Sequence, residues 1–329
     1  MTTRPALTSS RPSVSVAICT YNRADLLEGT LERLFVQTVP DSIQWELIVV
    51  DNASTDHTAA VLERARAKFP VRTFLETKRG LSHARNRAAT EARGDWVLFT
   101  DDDVRVAPTW VQSFAEAVER HADALVAGGP IVPWFPVDPD PALLSAFPEL
   151  ERGFCGIDHG KAEGPLERKR EVYGANFAVR RSVFSDMQFD PALGVPHGLG
   201  EETDLIERVR QRGGNVLWIP TIPVEHYVDP ARMSLDYLRK YRAGQGATFV
   251  RRFGLPPHAT LFGYPRWLVR QWGLSYLRAL GWSLVGRQAK ALAETRERCY
   301  YQGMLTEARR LNVTAASTAS ALGNEVSRP

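Results

Sequence analysis

The chain from residue 14 to residue 100 alternates between short apolar runs and segments with helical spacing, and this alternation constrains the fold most strongly. Residues 14–19, 45–50, 71–75 and 96–100 are β-prone runs, and a polar turn with an amphipathic segment follows each of the first three. Such alternation is typical of a parallel sheet with helices on both faces. We therefore predict an α/β domain with a mostly parallel, Rossmann-like sheet.

Three consecutive aspartates, Asp101, Asp102 and Asp103, follow the fourth of these runs. A run of β-prone, uncharged residues is typical of a strand buried on both faces, so the acids should emerge at its carboxyl end, where open α/β sheets bind ligands. Adjacent carboxylates repel one another unless a cation neutralises them, and Mg²⁺ or Mn²⁺ prefers oxygen ligands and bridges to phosphates. Alone, the triplet fits either a metal-bound phosphorylated ligand or a solvated acidic turn.

Polar residues also follow the other three predicted strands. They are Thr20, Tyr21, Asn22 and Arg23, then Asp51, then Arg79, His83, Arg85 and Arg87. Asp51 would accept hydrogen bonds from a base or ribose, and the arginines beside a helix N-terminus would counter phosphate charge. Each residue also fits a structural role, Asp51 in an Asx turn and Arg85 as a solvated helix residue. Their common position at one sheet edge favours a nucleotide site.

The composition excludes several classes of protein. The 41 Lys and Arg residues against 38 Asp and Glu are too evenly balanced to predict a nucleic-acid partner. Cys19, Cys155 and Cys299 are far apart and odd in number, which predicts neither a disulfide framework nor a zinc cluster. The N-terminus lacks an apolar signal core, and no stretch reaches the ~18 apolar residues of a spanning helix. We predict a cytoplasmic protein.

The domain organisation follows from where regular patterning begins and fails. We predict a disordered tail over residues 1–13, a main domain over 14–255 and a second disordered tail over 313–329. The main domain would consist of a nucleotide-binding half, 14–128, and an acceptor and catalytic half, 129–255. Six prolines between residues 130 and 148 predict a long loop, 130–171, that forms the mobile wall of a cleft.

A basic helical extension is predicted over residues 256–312. Its apolar residues recur every four positions, at Leu268, Trp272, Tyr276, Leu280 and Leu284. Arg266, Arg270 and Arg278 would lie on the opposite side, and residues 266–310 contain nine Lys or Arg and three Glu, a local charge of +6. The segment 264–312 would either contact an anionic membrane surface as a peripheral helix or pack on its own domain.

Four motifs in natural order carry a family resemblance: VSVAICTYNR at 14–23, VVDNASTD at 49–56, GLSHARN at 80–86 and FTDDD at 99–103. They resemble the nucleotide-sugar half of the family 2 glycosyltransferases, the inverting class with the GT-A fold. The resemblance extends through YGANF at 173–177 and GEETDL at 200–205 to VEH at 224–226, and so covers residues 13 to 230.

The resemblance implies roles for the residues at the sheet edge. The donor site would contain Thr20, Tyr21, Asn22, Arg23, Asp51, Arg79, Arg85, Asp101 and Asp102. Asp51 would hold the base, and Asp101 would face both the ribose and the metal. Asp103 and His226 would complete a site for Mn²⁺ or Mg²⁺, which would neutralise the departing diphosphate as a Lewis acid. Strand alternation directs Asp102 away from that site, in a structural role.

The catalytic base is expected from the acids at 201–204, which match the family's Glu-Asp pair. Glu202 occupies the position of the usual aspartate and is the predicted base, while Glu201 and Asp204 remain alternatives. All three acids would equally complement a helix dipole. The residues predicted to contact the donor sugar or the acceptor are Gly174, Ala175, Asn176 and Trp134.

These expectations predict an inverting, metal-dependent hexosyltransferase that moves sugar from a nucleotide-diphosphate sugar, specifically a UDP-sugar, to a hydroxyl of a glycan, lipid or other carrier in polysaccharide or glycolipid biosynthesis. A sugar nucleotidyltransferase would need a glycine-rich loop and a lysine after the first strand, and residues 20–23 supply neither. The non-enzymatic alternative is a degenerate nucleotide-sugar-binding scaffold. The sequence leaves the sugar, the acceptor and the oligomeric state open, with a homodimer among the options.

Overall fold

The computed structural model describes residues 12–193, 200–255, 259–261 and 263–325, with the side chains of 252 and 312–325 left aside. The chain divides into two compact units. The first contains the described residues of Met1–Trp134 and Cys155–Tyr227, and the second contains those of Phe135–Phe154 and Val228–Pro329. The division falls before the expected boundary at residue 255, because the helix over 235–253 packs against the last helix of the chain.

The strands form three sheets, and all but the last two belong to the first unit. In chain order they are β1 Val14–Thr20, β2 Trp45–Asp51, β3 Val71–Leu75, β4 Trp96–Thr100, β5 Val104–Val106, β6 Ala124–Gly128, β7 Ile131–Trp134, β8 Gly164–Pro165, β9 Asn176–Arg180, β10 Asn215–Trp218, β11 Val224–Tyr227, β12 Thr260–Leu261 and β13 Tyr264–Pro265.

Ten α-helices are present in the described residues. They are α1 Ala24–Phe35, α2 Thr58–Lys68, α3 Leu81–Glu91, α4 Trp110–Arg120, α5 Pro141–Ala146, α6 Pro148–Glu151, α7 Glu201–Gln211, α8 Leu235–Phe253, α9 Arg266–Leu284 and α10 Gln288–Glu325. Short 3₁₀ helices follow β9 and β11, at Arg181–Ser185 and Pro230–Met233. Among these elements, no helix is both long and apolar enough to cross a membrane.

The large sheet of the first unit has the order β3-β2-β1-β4-β9-β6-β10-β8. Strands β1 to β4 pair in parallel, whereas β9 runs antiparallel to both β4 and β6. The strands β1 and β4 are buried almost throughout, as their uncharged sequences predict. The predicted mostly parallel α/β sheet is confirmed.

Helices cover both faces of this sheet. Alternate residues of β1 point to opposite sides, so that Ile18 packs in one core cluster and Ala17 in the other. The first cluster receives apolar residues of α1, α2 and α4, and the second receives those of α3 and α7. This arrangement confirms the prediction made from the alternation of strands and helices.

A second, three-stranded sheet in the first unit has the order β5-β11-β7. The short strand β5 was not expected from the sequence, where Arg105 interrupts the apolar residues Val104 and Val106. It pairs antiparallel with β11, which places His226 opposite Val104. Because Val104 directly follows Asp103, this small sheet brings His226 close to the acid triplet.

The segment 130–171 has more regular structure than the predicted loop. It contains β7, α5, α6 and β8. Pro141 and Pro148 occupy the first turns of α5 and α6, where a helix does not need the missing N–H, and Asp140 caps α5 by accepting the N–H of Ala142. Proline density was misleading here because these prolines begin helices instead of preventing them.

The second unit is helical. Helix α10 packs against α8 and α9, and the chains of α8 and α10 approach closely where Gly246 and Gly303 leave no room for a side chain. Glu149 of α6 is buried between Arg296 (2.6 Å) and Arg242 (3.4 Å), which joins α6 to the same helices. Helix α10 continues to Glu325 and thus includes residues of the expected tail over 313–329, whereas residues 1–11 and 326–329 lie outside the described part.

The apolar stripe predicted for α9 is only partly buried. Leu268 is buried, but Leu280 and Leu284 are exposed, and the other buried positions are Ser275 and Ala279. Residues four positions apart advance roughly 40° beyond a full helical turn, so five such residues spiral around the helix. The predicted separation of apolar and arginine faces is therefore wrong for the second half of α9.

Candidate active site

The register of the parallel strands brings the predicted site residues to one edge of the large sheet. Thr20 at the end of β1 lies beside Asp51 at the end of β2, and Ile18 lies beside Thr100, the last residue of β4. The acid triplet therefore emerges next to the turn that follows β1. On the other side of the triplet, Tyr227 donates its backbone N–H to the carbonyl of Asp103 at 3.0 Å.

Asp101, Asp103 and His226 come together as a group that could hold a metal ion, with one ligand atom from each residue within 4.8 Å of the other two. Nε2 of His226 lies 3.4 Å from Oδ1 of Asp103 and 3.7 Å from Oδ2 of Asp101. Oδ1 of Asp103 is buried, and no described residue donates a hydrogen bond to it. Two carboxylates, one imidazole and an unsatisfied buried oxygen suit a divalent cation such as Mn²⁺.

The protonation of His226 reflects these neighbours. Burial alone lowers its pKa, but the nearby Asp101, Cys155 and Asp103 favour the protonated imidazole and raise the pKa to about 11. Without another cation the imidazole therefore carries a proton at neutral pH. A metal ion bound at Nε2 or Nδ1 would have to replace that proton.

Asp102 points away from this group. Its carboxylate accepts a hydrogen bond from Oγ1 of Thr20 at 2.7 Å and forms an ion pair with Arg23 at 2.9 Å. Burial raises the pKa of Asp102 to about 7, and the charge of Arg23 opposes this shift. Arg23 also pairs with Asp103, so it neutralises two of the three acids. Thr20, Arg23 and Asp102 thus hold the two strand ends together.

Asp51 and the loop from Thr20 to Arg23 were predicted to hold the nucleotide base, and Arg79 to counter phosphate charge. Asp51 accepts the backbone N–H of Ser54 at 2.9 Å, which is the Asx-turn geometry that the sequence also allows. Asn22 adopts a left-handed conformation (φ 52°) and accepts a backbone N–H from the turn after β2. The guanidinium of Arg79 lies over the ring of Tyr21 at 3.9 Å. The half-buried ring of Tyr21 therefore lies against the exposed side chain of Arg79 in this turn region.

Arg85 is buried within the first unit and is neither solvated nor free to meet a phosphate, in contrast to both sequence interpretations. It forms a 2.5 Å ion pair with Glu201 and lies 3.8 Å from Asp101 and 3.9 Å from Glu202. Burial by itself lowers the pKa of Arg85, but the charges of Glu201, Glu202 and Asp101 raise it above the ordinary arginine value. The guanidinium also faces the ring of Phe177 at 5.2 Å.

The three acids at the start of α7 have different partners. Glu201 is buried against Arg85, and Asp204 pairs with Arg208 one helical turn later at 2.8 Å. Glu202 accepts only the backbone N–H of Gly174, at 3.2 Å, and keeps 14% of its side chain exposed. A helix dipole alone would not distinguish the three acids. Of the two acids that contact Arg85 from α7, Glu202 is the more exposed, and it lacks the short ion pair that Glu201 makes.

The segment from Gly174 to Asn176 contacts two elements of the site, α3 and the end of β4. A Cβ atom on Gly174 would lie 2.3 Å from Nη2 of Arg85, so the glycine is needed for this guanidinium. The carbonyl of Ala175 accepts the hydroxyl of Thr100. Asn176 is fully buried and donates to the carbonyls of Pro130 and Ile222, so it does not reach the surface where a sugar or acceptor would bind.

Trp134 belongs to a stack of side chains beside Asp103. The guanidinium of Arg105 lies 3.2 Å above its ring, and Tyr227 meets its edge at 5.3 Å. Trp134, Arg105 and Asp103 line a cavity of about 220 Å³ together with residues of α1. Arg105 was not predicted from the sequence, because nothing in the three-residue strand β5 distinguishes it from a solvated arginine. A cavity of about 560 Å³ lies at the opposite end of β4 and contains no acid of the triplet.

The fold and the arrangement of its acids define a nucleotide-sugar glycosyltransferase of the GT-A class. The chain belongs to glycosyltransferase family 2, since the family model described as "Glycosyl transferase family 2" matches residues 15–186. This match confirms the resemblance carried by the four sequence motifs and disfavours a sugar nucleotidyltransferase.

Curated relatives cover most of the chain. The glucosyl-dolichyl phosphate glucuronosyltransferase of Haloferax volcanii is 27% identical over 238 residues, 68% of this chain and 72% of that protein. The succinoglycan biosynthesis protein ExoM of Rhizobium meliloti is 27% identical over 250 residues, 74% of this chain and 76% of that protein. Both are proteins of similar length to this chain, so the similarity is not restricted to a short motif.

Solved structures share the fold. Residues 1–349 of S. aureus TarS in complex with UDP are 20% identical, with a TM-score of 0.54 over 88% of this chain and 92% of that chain. The mannosyltransferase PcManGT of Pyrobaculum calidifontis, in complex with GDP-Man and Mn²⁺, is 19% identical, with a TM-score of 0.50 over 96% of this chain and 80% of that chain. At this identity the likeness concerns the fold.

Proposed function

We propose that this enzyme transfers a sugar, with inversion and in a divalent-metal-dependent manner, from a UDP-sugar to a hydroxyl of a glycan or lipid-linked acceptor. One observation carries the proposal. The buried guanidinium of Arg85 lies within 3.9 Å of both Asp101 and Glu202. Arg85 thereby holds Asp101, a carboxylate of the metal-binding group, close to the accessible carboxylate of Glu202. Displacement at a single carbon requires this proximity, because the base and the leaving group act on opposite sides of that carbon.

Glu202 acts as the base in this proposal. It takes the proton from the acceptor hydroxyl while the oxygen attacks the anomeric carbon on the face opposite the diphosphate. The new C–O bond forms as the bond to the diphosphate oxygen breaks, and the electron pair leaves with UDP. Attack from the opposite face inverts the anomeric configuration.

Two neighbouring acids are less suited to this role. Glu201 is held by Arg85 at 2.5 Å inside the unit, and Asp204 is paired with Arg208 at 2.8 Å. Glu202 accepts one backbone N–H and lies 3.9 Å from Nη1 of Arg85, too far for a short ion pair. Its side chain can therefore approach an acceptor without breaking a short ion pair.

Asp101, Asp103 and His226 would hold the divalent ion, and the buried unpaired oxygen of Asp103 supports this assignment. When bound, the ion supplies positive charge that stabilises the departing diphosphate. Arg23 forms ion pairs with Asp102 and with the second oxygen of Asp103, so the metal ion does not have to balance the negative charge of all three acids. The half-buried ring of Tyr21 and the exposed guanidinium of Arg79, which lies over it, would contact the nucleotide.

The names of similar proteins support the donor and acceptor class. One relative is named for glucosyl-dolichyl phosphate and another for succinoglycan biosynthesis, which supports a lipid-linked or polysaccharide acceptor. The UDP-bound TarS structure supports a UDP-sugar, while GDP-Man in PcManGT marks the competing donor. We place the reaction on the cytoplasmic side of a membrane, consistent with the free thiols of Cys19, Cys155 and Cys299.

A thermal-shift panel of UDP-, GDP- and dTDP-sugars, each with and without Mn²⁺, tests this proposal. A ligand at a hundred times its Kd stabilises the folded state by about 2.7 kcal/mol, so the correct donor should raise the Tm clearly. We expect the largest shift with a UDP-sugar and only with Mn²⁺. A shift that is independent of Mn²⁺, or larger with a GDP-sugar, would contradict the metal or the donor assignment respectively.

A further inference from the structure

Exposed apolar side chains are concentrated on one helix of the second unit. Of the fourteen exposed large hydrophobic residues, six lie between Trp267 and Val285. Leu277 is 62% exposed, and Leu284, at 79%, is the most exposed of the large hydrophobic residues in the described part of the chain. Scattered apolar residues are normal on a protein surface, but a cluster along one helix marks an interaction site.

Positive charge is concentrated in the same region. Residues 237–293 contain ten Lys or Arg and no Asp or Glu, although the whole chain has a net charge of only +3. Within this segment Arg266, Arg270 and Arg278 are exposed on α9, and none of the three pairs with an acid among the described residues. The exposed surface of α9 is therefore both apolar and cationic.

The two kinds of side chain share a surface. Leu268, Ser275 and Ala279 mark the buried side of α9. At roughly 100° per residue, Arg266, Arg270, Leu277 and Leu284 project from the opposite side. On this side, arginines occupy the first half of the helix and leucines the second half, and long arginine side chains can extend their charges past neighbouring apolar groups.

We propose that this exposed surface of α9, made of Arg266, Arg270, Tyr276, Leu277, Leu280 and Leu284, binds an anionic phospholipid membrane. The leucines would enter the boundary between headgroups and acyl chains while the arginines contact lipid phosphates. An interfacial helix of this kind lies in the plane of one leaflet. The inference is independent of the proposed reaction, because it rests on the surface of α9 alone.

Charge complementarity selects a membrane over a second copy of the chain. A two-fold contact through this surface would bring the arginines of one copy against those of the other, without acids on α9 to compensate them. An anionic leaflet instead attracts each exposed Lys or Arg. Arg287 and Lys290, which are exposed just after α9, add cations near its C-terminal end.

Vesicle co-sedimentation of the full-length protein tests the proposal. We expect binding to phosphatidylcholine vesicles that contain phosphatidylglycerol, weaker binding to phosphatidylcholine alone, and loss of binding at high salt. Substituting Leu277→Gln and Leu284→Gln together should weaken binding at least tenfold, by about the value of two buried leucines. Arg266→Gln with Arg270→Gln should weaken it about fivefold per charge on the anionic vesicles.

Val36→Gln with Leu75→Gln is the matched control, since these residues of the first unit are 59% and 58% exposed. This variant should bind like the wild type. Equal loss in the control, or no binding of the wild type to anionic vesicles, would overturn the proposal. So would a wild-type dimer in sedimentation velocity that the leucine variant dissociates.

A second measurement does not depend on how the variants fold. Brominated phosphatidylglycerol should quench tryptophan fluorescence of the wild-type protein, and Trp267→Phe should reduce that quenching because Trp267 is exposed at the start of α9. Unquenched fluorescence in the presence of bound vesicles would show that another surface makes the contact, and would overturn the assignment to α9.

Discussion

Arg85 and Glu201 are 116 residues apart in the sequence and form an ion pair at 2.5 Å in which each side chain is only 4% exposed. The pair joins α3, which precedes the acid triplet, to α7, which carries the proposed base. Because the same guanidinium also approaches Asp101 and Glu202, any change in the pair should affect both folding and the site.

Removal of one partner of this pair should destabilise the fold. Glu201→Gln leaves the guanidinium of Arg85 without its short ion pair inside the unit, and loss of one partner of a buried pair costs about 3–5 kcal/mol. Urea unfolding measures the change. Asp186→Asn is the control, because its pair with Arg212 is exposed and should contribute less than about 1 kcal/mol. Equal effects of both substitutions would contradict the role of the buried pair.

Gly174→Ala should reduce activity by moving Arg85. The added Cβ would lie 2.3 Å from Nη2 of Arg85, and the guanidinium cannot swing away freely because three carboxylates hold it. We expect a loss of about 1–3 kcal/mol in stability and a lower kcat for donor turnover. The control, Gly29→Ala in α1, meets no atom within 4 Å and should stabilise the helix by up to about 1 kcal/mol. Wild-type kcat in Gly174→Ala would argue against a fixed guanidinium.

Glu202→Gln should lose sugar transfer while the donor still binds. The amide cannot take a proton, and loss of a general base costs about 10²- to 10⁴-fold in rate. Release of UDP in the presence of acceptor reports the rate, and titration of UDP with Mn²⁺ reports binding. Asp204→Asn is the matched change in the same helix turn and should retain turnover, because Asp204 is paired with Arg208. A reversed result for the two variants would move the base to Asp204.

Binding of Mn²⁺ should release a proton from His226. The pKa of His226 is raised from 6.5 to about 11, so the imidazole is protonated between these values until a metal replaces the proton. Affinity for Mn²⁺ should rise about tenfold per pH unit between pH 7 and 9, with about one proton released. In metal-free protein, the same shift contributes stability that is complete below pH 6.5 and is lost as the pH rises through 11.

Calorimetry in buffers with different ionisation enthalpies measures the proton count. His226→Gln should remove the proton release, whereas His57→Gln, at an exposed histidine paired with Asp25, should keep it. If the wild type binds Mn²⁺ without releasing a proton at neutral pH, His226 is not a ligand.

Local sequence patterns predicted the elements that position the site. The strands Val71–Leu75 and Trp96–Thr100 agree with the prediction at both ends, because each is an uncharged or nearly uncharged β-prone run bounded by turn residues. The parallel register that brings Thr20 next to Asp51 also follows from repeated strand and helix units. These features depend on residues that are close together in the sequence, so a single sequence is enough to predict them.

Features that depend on distant partners were missed. Arg85 lies in a helix whose sequence is compatible with a solvated arginine, and only the fold brings Glu201 to it. The strand β5 exists because β11, more than a hundred residues later, pairs with it. Helix α9 carries leucines on its exposed side, so apolar spacing alone identified the wrong buried face.

Calorimetry of UDP binding, with and without Mn²⁺, in wild type, Asp103→Ala and Glu202→Gln tests whether the donor site depends on a metal and is separate from the base. We expect Mn²⁺-dependent binding in the wild type, its retention in Glu202→Gln and its loss in Asp103→Ala, because Asp103 contributes the buried unpaired oxygen. Unchanged Mn²⁺-dependent affinity in Asp103→Ala would show that the carboxylate of Asp103 does not hold the metal.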